Sequence, residues 1–295
     1  MTAPLAEPRM SQKAKPLVEG EFFFTNEDFT RISKILYQES GIALSDAKAA
    51  LVYSRLAKRL RALGLQSFRD YCEMISGEEG VDERQAMMAA LTTNVTRFFR
   101  EPHHFEHLQH KLIPPHIDRV RAGGRLRLWS AACSSGQEPY SMAMSLVAAM
   151  PDALQRDVRI LATDIDPNMI RTGKLGIYSE DLVDEIPAEH RRNWFIRADE
   201  PRKWRVKPEL QQLIAFRELN LIGEWPMKGR FEAVFCRNVV IYFDEQTQQR
   251  IWSRFAPAMS DDGALYIGHS ERVTGPAVNQ FVSDGMTTYR KRNAP

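Results

Sequence analysis

Two carboxylates stand where apolar strand patterns give way to turns. Glu138 lies in LRLWSAACSSGQEPYSMAMSL (Leu126–Leu146), and Asp164 lies in DVRILATDID (Asp157–Asp166). At the end of a second strand, a carboxylate can accept two hydrogen bonds from ribose hydroxyls in a fixed bidentate geometry. At the start of a helix, it competes with a phosphate for the free N–H groups, so Glu138 disfavours a pyrophosphate there. The turn also lacks the Gly-x-Gly-x-x-Gly spacing of a dinucleotide site, and no Lys-Ser/Thr pair follows to hold a triphosphate. A phosphate-free adenosine with a cationic amino-acid end suits both acids, and Gly136 lets the backbone approach it. Each acid also has a plainer use. Glu138 can complement the helix dipole, and alone it supports either role. Asp164 or Asp166 can cap the helix at DPNMIRTG. Asp166 fits that cap better because Pro167 takes the first helical position, which leaves Asp164 for the ribose.

A second polar group precedes the first strand, in LTTNVTRFFREPHHFEHL (Leu91–Leu108). Asn94 and Thr96 stand beside the aromatic pair Phe98-Phe99, and Arg100 follows directly. Laid over a ligand, this segment lets Arg100 neutralise a carboxylate. As a helix start, it buries the phenylalanines and leaves Arg100 at the surface, and taken alone it favours that reading. His103, His107 and His110 fall at i, i+4 and i+7, but no carboxylate or cysteine is placed to complete a metal shell. These histidines, with His104, are expected to be solvated. In the N-terminal part, Lys48 to Arg69 contains no acid and holds Lys48, Arg55, Lys58, Arg59, Arg61 and Arg69. Lys48, Arg55 and Arg59 nearly superimpose on a helical wheel, a ridge that attracts an acidic partner. Without interleaved aromatics it is a poor platform for single-stranded nucleic acid, so an acidic protein is the better partner.

These groups need elements to position them. TNEDFTRISKILYQESG reads as a helix capped by Thr25, with Phe29 and Ile32 on its apolar side and Gly41 as its stop. A second helix follows, capped by Ser45, stopped by Gly64, and burying Val52, Leu56, Leu60 and Leu63; SFRDYCEMISG is a third. The polar stretch Gly77–Gln85 is the candidate linker. Beyond it, strands at Arg125–Ala131, Asp157–Asp166, Phe231–Asn238 and Ala264–Ser270 alternate with helices, the signature of a largely parallel sheet covered on both faces. A strand, or a hairpin turning at Asp284-Gly285, closes one edge, and Leu182–Leu221 is an insertion with its own small β element. The expected division is a flexible tail (1–20), a helical domain (21–84) and an α/β domain (85–295) whose insertion spans about 182–217.

The chain of 295 residues, 43% hydrophobic and 26% charged, can build a sizeable core. Its net charge of +2 excludes no partner class. Three separated cysteines without a Cys-x-x-Cys pair fit neither a disulfide framework nor a zinc ribbon, which favours a reducing cytoplasm. No apolar run reaches the roughly 18–20 residues of a membrane span, and the N-terminus has no secretory h-region.

The ordered set SRLAKRLRALGL, TTNVTRFFRE, WSAACSSGQEPYS, ATDID, LNL and FCRNVVIYF resembles the chemotaxis receptor glutamate methyltransferases, the CheR family, from about Phe22 to Tyr289. The resemblance implies an all-α N-terminal domain joined to a Rossmann-like, S-adenosylmethionine-dependent methyltransferase domain with a small inserted antiparallel β subdomain. By family motif, Asn94, Thr96, Arg100, Glu138, Asp164, Asn220, Leu221, Arg237 and Asn238 contact the methyl donor, or its product S-adenosylhomocysteine. Arg100 pairs with the methionine carboxylate, Tyr242 lies near the reacting methyl, and Arg55, Lys58, Arg59 and Arg61 face the receptor. The implied substrate is a glutamate in the acidic methylation region of a chemoreceptor's cytoplasmic helical bundle. No general base is demanded, since the donor methyl is already activated and positioning suffices. In some members a Gly-containing loop of the β subdomain grips a C-terminal receptor pentapeptide. The corresponding stretch here, Arg197–Val206, is charged and has no glycine, so action without that tether is expected, by a monomer. A non-catalytic sensor of the donor or its product on the same scaffold is the competing reading.

Overall fold

The computed structural model describes residues 15–292, so residues 1–14 of the expected tail lie outside the described residues. Two compact units emerge. One comprises residues up to Gln38 with Leu44–Leu91, and the other Glu39–Ala43 with the residues from Thr92 onward.

The first unit is helical. Helix α1 (Asn26–Ser40) begins at a reciprocal cap, in which the Thr25 hydroxyl accepts from Asp28 N at 3.1 Å and the Asp28 carboxylate accepts from Thr25 N at 2.9 Å. Helix α2 (Ala49–Leu63) is entered through a tight turn at Asp46–Lys48, and the Ser45 side chain makes no capping bond, contrary to expectation. Its Val52, Leu56 and Leu60 are fully buried, whereas Leu63, expected beside them, is 38% exposed. Leu63 belongs to the terminal turn, where the left-handed Gly64 (φ +70°) turns the chain away. Helix α3 (Phe68–Ser76) is capped by Ser67, and α4 (Val81–Leu91) follows. The expected linker is therefore a turn and the first half of α4, and a boundary at 84/85 falls inside a helix. Charges that suggest a solvated linker are used internally: Glu83 is buried, and Arg84 donates to the carbonyls of Ile75 and Gly77, both at 2.8 Å.

In the second unit, α5 (Pro102–His107) continues through a wider turn at Leu108–Leu112, and α6 (Ile117–Arg121) leads to β1 (Leu126–Ala131). Then come α7 (Gln137–Ala149), β2 (Val158–Asp164), α8 (Pro167–Leu175), β3 (Ile177–Ser179), α9 (Glu180–Asp184), α10 (Ala188–Trp194), β4 (Phe195–Arg197) and β5 (Lys203–Val206). The chain ends through α11 (Pro208–Gln211), β6 (Ile214–Glu218), β7 (Phe231–Cys236), α12 (Glu245–Ala258), β8 (Met259–Ile267), β9 (Phe281–Gly285) and β10 (Thr288–Lys291). Seven strands form one sheet in the order β6-β2-β1-β7-β8-β10-β9, parallel from β6 to β8, with β10 and β9 antiparallel. Alternate residues enter two cores on opposite faces: Leu126 and Leu128 of β1 join one, and Trp129 and Ala131 the other.

The inserted sheet, in the order β3-β5-β4, is antiparallel and begins at Ile177, earlier than residue 182. The expected insertion also takes in β6, which belongs to the main sheet and pairs parallel with β2 from Ile160↔Ile214 to Asp164↔Glu218. This five-residue edge strand offers too short an alternation to stand out beside the charges that follow it.

Candidate active site

The strand order reverses at β1. Strand β2 lies on one side and β7 on the other, so the turn leaving β1 opens at a topological switch point, where open α/β sheets bind their ligands. Register brings the carboxyl ends level, with Ala131 paired to both Thr163 and Cys236.

The turn is sharply folded. Ala132 (φ +67°), Ser134 (φ +49°) and Gly136 (φ +99°) are all left-handed. A Cβ on Gly136 would lie 2.8 Å from the Tyr178 hydroxyl and 2.9 Å from Gly173 Cα, so the turn closes only with glycine there. The Tyr178 hydroxyl of β3 donates to Ser135 O at 2.7 Å, tying the inserted sheet to this turn. Ser134 N donates to Asp164 Oδ2 at 2.8 Å, and Asp166 N donates to Asp164 Oδ1 at 2.9 Å. Asp164 thus closes β1's turn onto β2's end, and each oxygen keeps a further lone pair for a ligand. Burial raises the Asp164 carboxyl to about 6, even though these main-chain donors pull it down. Asp166 caps α8, accepting from Asn168 N at 2.8 Å with Pro167 next, as its position implies.

Segment Asn94–Arg100 meets the same strand ends. Asn94 Nδ2 donates to Asp166 Oδ2 at 3.2 Å, and the Ser134 hydroxyl donates to Asn94 O at 3.2 Å. Phe98 is buried edge-on to Tyr178 and Phe195, with ring centroids 5.0 and 5.6 Å away, whereas Thr96 and Arg100 are half-buried. The Arg100 guanidinium donates to Val95 O at 3.0 Å. Neither sequence reading alone covers this: the aromatics enter the core while the polar groups stay at the strand ends.

Glu138 and Arg237 form a buried pair. Arg237 Nη1 donates to Glu138 Oε2 at 2.9 Å, and the Ser130 hydroxyl donates to Glu138 Oε1 at 2.6 Å. Burial raises the Glu138 carboxyl above its usual range against the pull of Arg237. Arg237 also lies 3.2 Å from Glu101 Oε2 and donates to Arg100 O, so two expected site residues, Arg237 and Arg100, are linked through the main chain. Asn238 follows in a left-handed turn (φ +58°), its N–H donating to Glu271 at 3.0 Å. Asn220 Nδ2 donates to Glu39 O at 2.7 Å, and the buried Leu221 accepts from Arg254 at 2.7 Å. Tyr242 is half-buried in the turn Val240–Tyr242, with its carbonyl accepting from Ala43 N at 2.9 Å. Sequence reasoning missed Glu101, Ser134 and Glu271. A signal existed for each: an acid directly after Arg100, a hydroxyl inside the turn, and an acid just beyond the end of β8.

The basic ridge departs from expectation. Arg59 forms a bidentate pair with Glu83, with Nε–Oε1 at 3.0 Å and Nη2–Oε2 at 2.5 Å, and Tyr71 adds a hydroxyl to the same carboxylate at 2.9 Å. Arg55 donates to Ala90 O and Leu91 O at the end of α4, at 3.2 and 3.0 Å. Arg61 meets Glu21 at 2.8 Å, and Lys58 is exposed. The acids missing from the stretch itself arrive from elsewhere in the fold. The histidines are not solvated either: His104 is fully buried, with Nε2 2.9 Å from the Thr287 hydroxyl, and His107 lies 2.9 Å from the Tyr266 hydroxyl and 3.2 Å from Asp284. Only His110 is well exposed among them. No group of three or more metal-ligating side chains exists among the described residues, and none of their helices is long and apolar enough to cross a membrane.

A carboxylate at the start of α7, another at the end of β2, and a turn without a phosphate cradle fit a phosphate-free adenosine cation and not a dinucleotide. With the doubly covered, mainly parallel sheet, they define the class of S-adenosylmethionine-dependent methyltransferases with an all-α N-terminal unit. Residues 94–289 match the CheR methyltransferase SAM-binding domain, and residues 27–92 match the CheR methyltransferase all-alpha domain. The chain belongs to the CheR methyltransferase family. It is 49% identical over 258 residues to a probable chemotaxis protein methyltransferase of Rhizobium etli, covering 87% of this chain and 96% of that one. It is 42% identical to chemotaxis protein methyltransferase 2 of Pseudomonas aeruginosa, covering 91% and 94%. Identity to the chemotaxis protein methyltransferase of Escherichia coli is 40%, covering 88% and 89%.

Proposed function

We propose that this protein transfers the methyl group of S-adenosylmethionine to glutamate side chains of chemoreceptor cytoplasmic domains, forming glutamyl methyl esters. The bound donor supplies an activated methyl, which a carboxylate oxygen can take as the carbon–sulfur bond breaks and sulfur keeps the electron pair. The chain's task is therefore orientation and exclusion of water. Asp164 accepts the ribose hydroxyls, and Glu138, with its buried partner Arg237, keeps the helix start closed to phosphate. Asn94 and Thr96 line the donor. Arg100 pairs with its carboxylate, Asn220, Leu221 and Asn238 flank the adenosine, and Tyr242 orients the reacting groups. The observation carrying this reading is the junction of Asn94 with Ser134 and Asp166, which brings the TTNVTRFFRE segment to the carboxyl ends of β1 and β2.

Receptor docking falls to α2, with Lys58 and Arg61 as its exposed cations and Arg55 and Arg59 as the scaffold behind them. The protein acts in the cytoplasm as a monomer, and without the receptor's pentapeptide tether. In support, the loop after β4 carries Arg202 at φ +57°, where a glycine would be unstrained, and Arg202 pairs with Asp181 at 3.2 Å. Calorimetric binding of a receptor-tail pentapeptide to this protein would overturn that part. The main test is incubation with methyl-labelled donor and a receptor cytoplasmic fragment. Label released as methanol by base is expected, whereas donor binding without any transfer leaves the sensor reading standing instead.

A further inference from the structure

Glu271 lies just beyond β8 and is 4% exposed. Four main-chain N–H groups donate to its carboxylate: Gly268 at 2.6 Å and Asn238 at 3.0 Å to Oε2, and Val239 at 3.0 Å and Val240 at 2.8 Å to Oε1. A carboxylate has about four lone-pair sites, and main-chain donors fill them all. Three of the donors are consecutive. Consecutive amides can converge on one anion where the chain curls through a left-handed residue. Asn238 is that residue (φ +58°), and Val239 follows at φ −123°, ψ −36°.

We infer that Glu271 is a positioning residue for the methyl transfer, acting through the turn that carries Asn238 and Tyr242. The peptide unit between Val239 and Val240 makes the link. Its N–H donates to Glu271, and its carbonyl accepts from Tyr242 N at 3.2 Å. Because a peptide unit is planar and stiff, the carboxylate sets the direction in which the next turn of chain, and Tyr242 with it, leaves the sheet. Gly268 completes the latch from below. A Cβ there would lie 2.5 Å from Asn238 Nδ2 and 2.8 Å from both Asn238 N and Glu271 Oε2. This inference rests on the proposed placement of Tyr242 beside the reacting methyl.

The test is E271Q, which keeps the side chain's size but turns an NH2 toward two of the four donors. Receptor methylation by the full-length protein, corrected for folded fraction, is expected to show kcat lowered about tenfold or more. Affinity for S-adenosylhomocysteine should change less, by no more than about threefold, because, of the proposed donor contacts, only Asn238 sits on this turn, whereas Asn94, Arg100 and Asp164 are held by other segments. In a Y242F background the same change should cost less than about twofold, since the group being positioned has lost its hydroxyl. E271D, which retains four acceptor sites, should recover part of the rate. An equal loss of kcat in both backgrounds assigns Glu271 a merely structural role and overturns the inference, as does an E271Q protein with the parent kcat beside a slow Y242F. Y242F at the parent rate overturns the Tyr242 reading and this inference with it. If E271Q does not accumulate, G268A presses on the same latch and is read in the same way.

Discussion

At the scale of single residues, charge state governs the proposed site. Asp164 is held at about 6 by burial, and only its ionised form accepts from both ribose hydroxyls. Affinity for S-adenosylmethionine is therefore expected to be steady above neutrality and to fall as pH drops through 6, measured calorimetrically from pH 7.5 to 5.5. D164N should lower affinity about tenfold or more, about 1.4 kcal/mol, and remove that pH dependence. Loss of affinity without loss of the pH dependence would move the titrating group elsewhere. R100A removes a charge-assisted contact and should cost about 1.5–3 kcal/mol of donor binding while leaving the thermal midpoint nearly unchanged. The Asp166 cap was readable from the sequence because Pro167 marks the first helical position. The use of both Asp164 oxygens by main-chain N–H groups was not, because one donor, Ser134, comes from a different strand's turn.

At the scale of elements, α2 spends some of its cations inside the fold and leaves others for the proposed docking. Arg59 neutralises the buried Glu83, so R59A leaves that carboxylate unpaired and is expected to destabilise the helical unit by about 2 kcal/mol or more, read by denaturant unfolding. A reversed charge at Arg59 accordingly probes folding before it probes docking. K58E is the cleaner test, because Lys58 is exposed. It should leave stability within about 0.5 kcal/mol and reduce receptor methylation at unchanged donor affinity. Unaltered methylation would remove α2 from the docking surface. In the turn after β1, G136A adds a Cβ to a left-handed residue and presses it on Tyr178 and Gly173. The conformational cost alone is about 1–2 kcal/mol, and donor affinity should fall with it. The helix spacing and the glycine were legible in sequence; the pairing partners were not, since Glu83 reaches Arg59 from a different helix.

At the scale of the whole molecule, a polar cluster of Glu101, His104 and Arg237 ties stability to pH. Burial lowers the His104 imidazole to about 3, and repulsion by Arg237 and His103 outweighs the attraction of Glu101. Burial alone would raise Glu101, but Arg237 and the hydrogen bonds from His269 hold it at about 2. The signs agree. Unfolded His104 gains its proton near 6.5 and unfolded Glu101 near 4.5, whereas the folded groups resist until about 3 and about 2. The stability these two groups contribute is thus full above 6.5 and is lost progressively as pH falls toward 2, while the raised carboxyls of Asp164 and Glu138 act in the opposite sense. Denaturant midpoints of H104N, measured beside the parent from pH 7 to 3, should therefore fall less steeply between 6.5 and 4.5. An unchanged slope in H104N would place the acid-sensitive group elsewhere. The histidines look like a solvated helix face in sequence because their cover, Thr287, Tyr266 and Asp284, arrives from the far end of the chain.

By itself, the sequence determined what local rules can carry. Helix starts and stops, the alternation of strand and helix, the acid in place of a phosphate-binding glycine motif, and the order of the site segments all act within a few residues of one another. Tertiary structure alone decided which charges are free and which are spent. Glu138 finds Arg237 across 99 positions, Arg59 finds Glu83 across 24, and Glu271 collects amides from a strand end 33 residues away. The reason is physical. A buried charge must be paired wherever the sheet order brings a partner near, and no periodicity along the chain encodes that meeting.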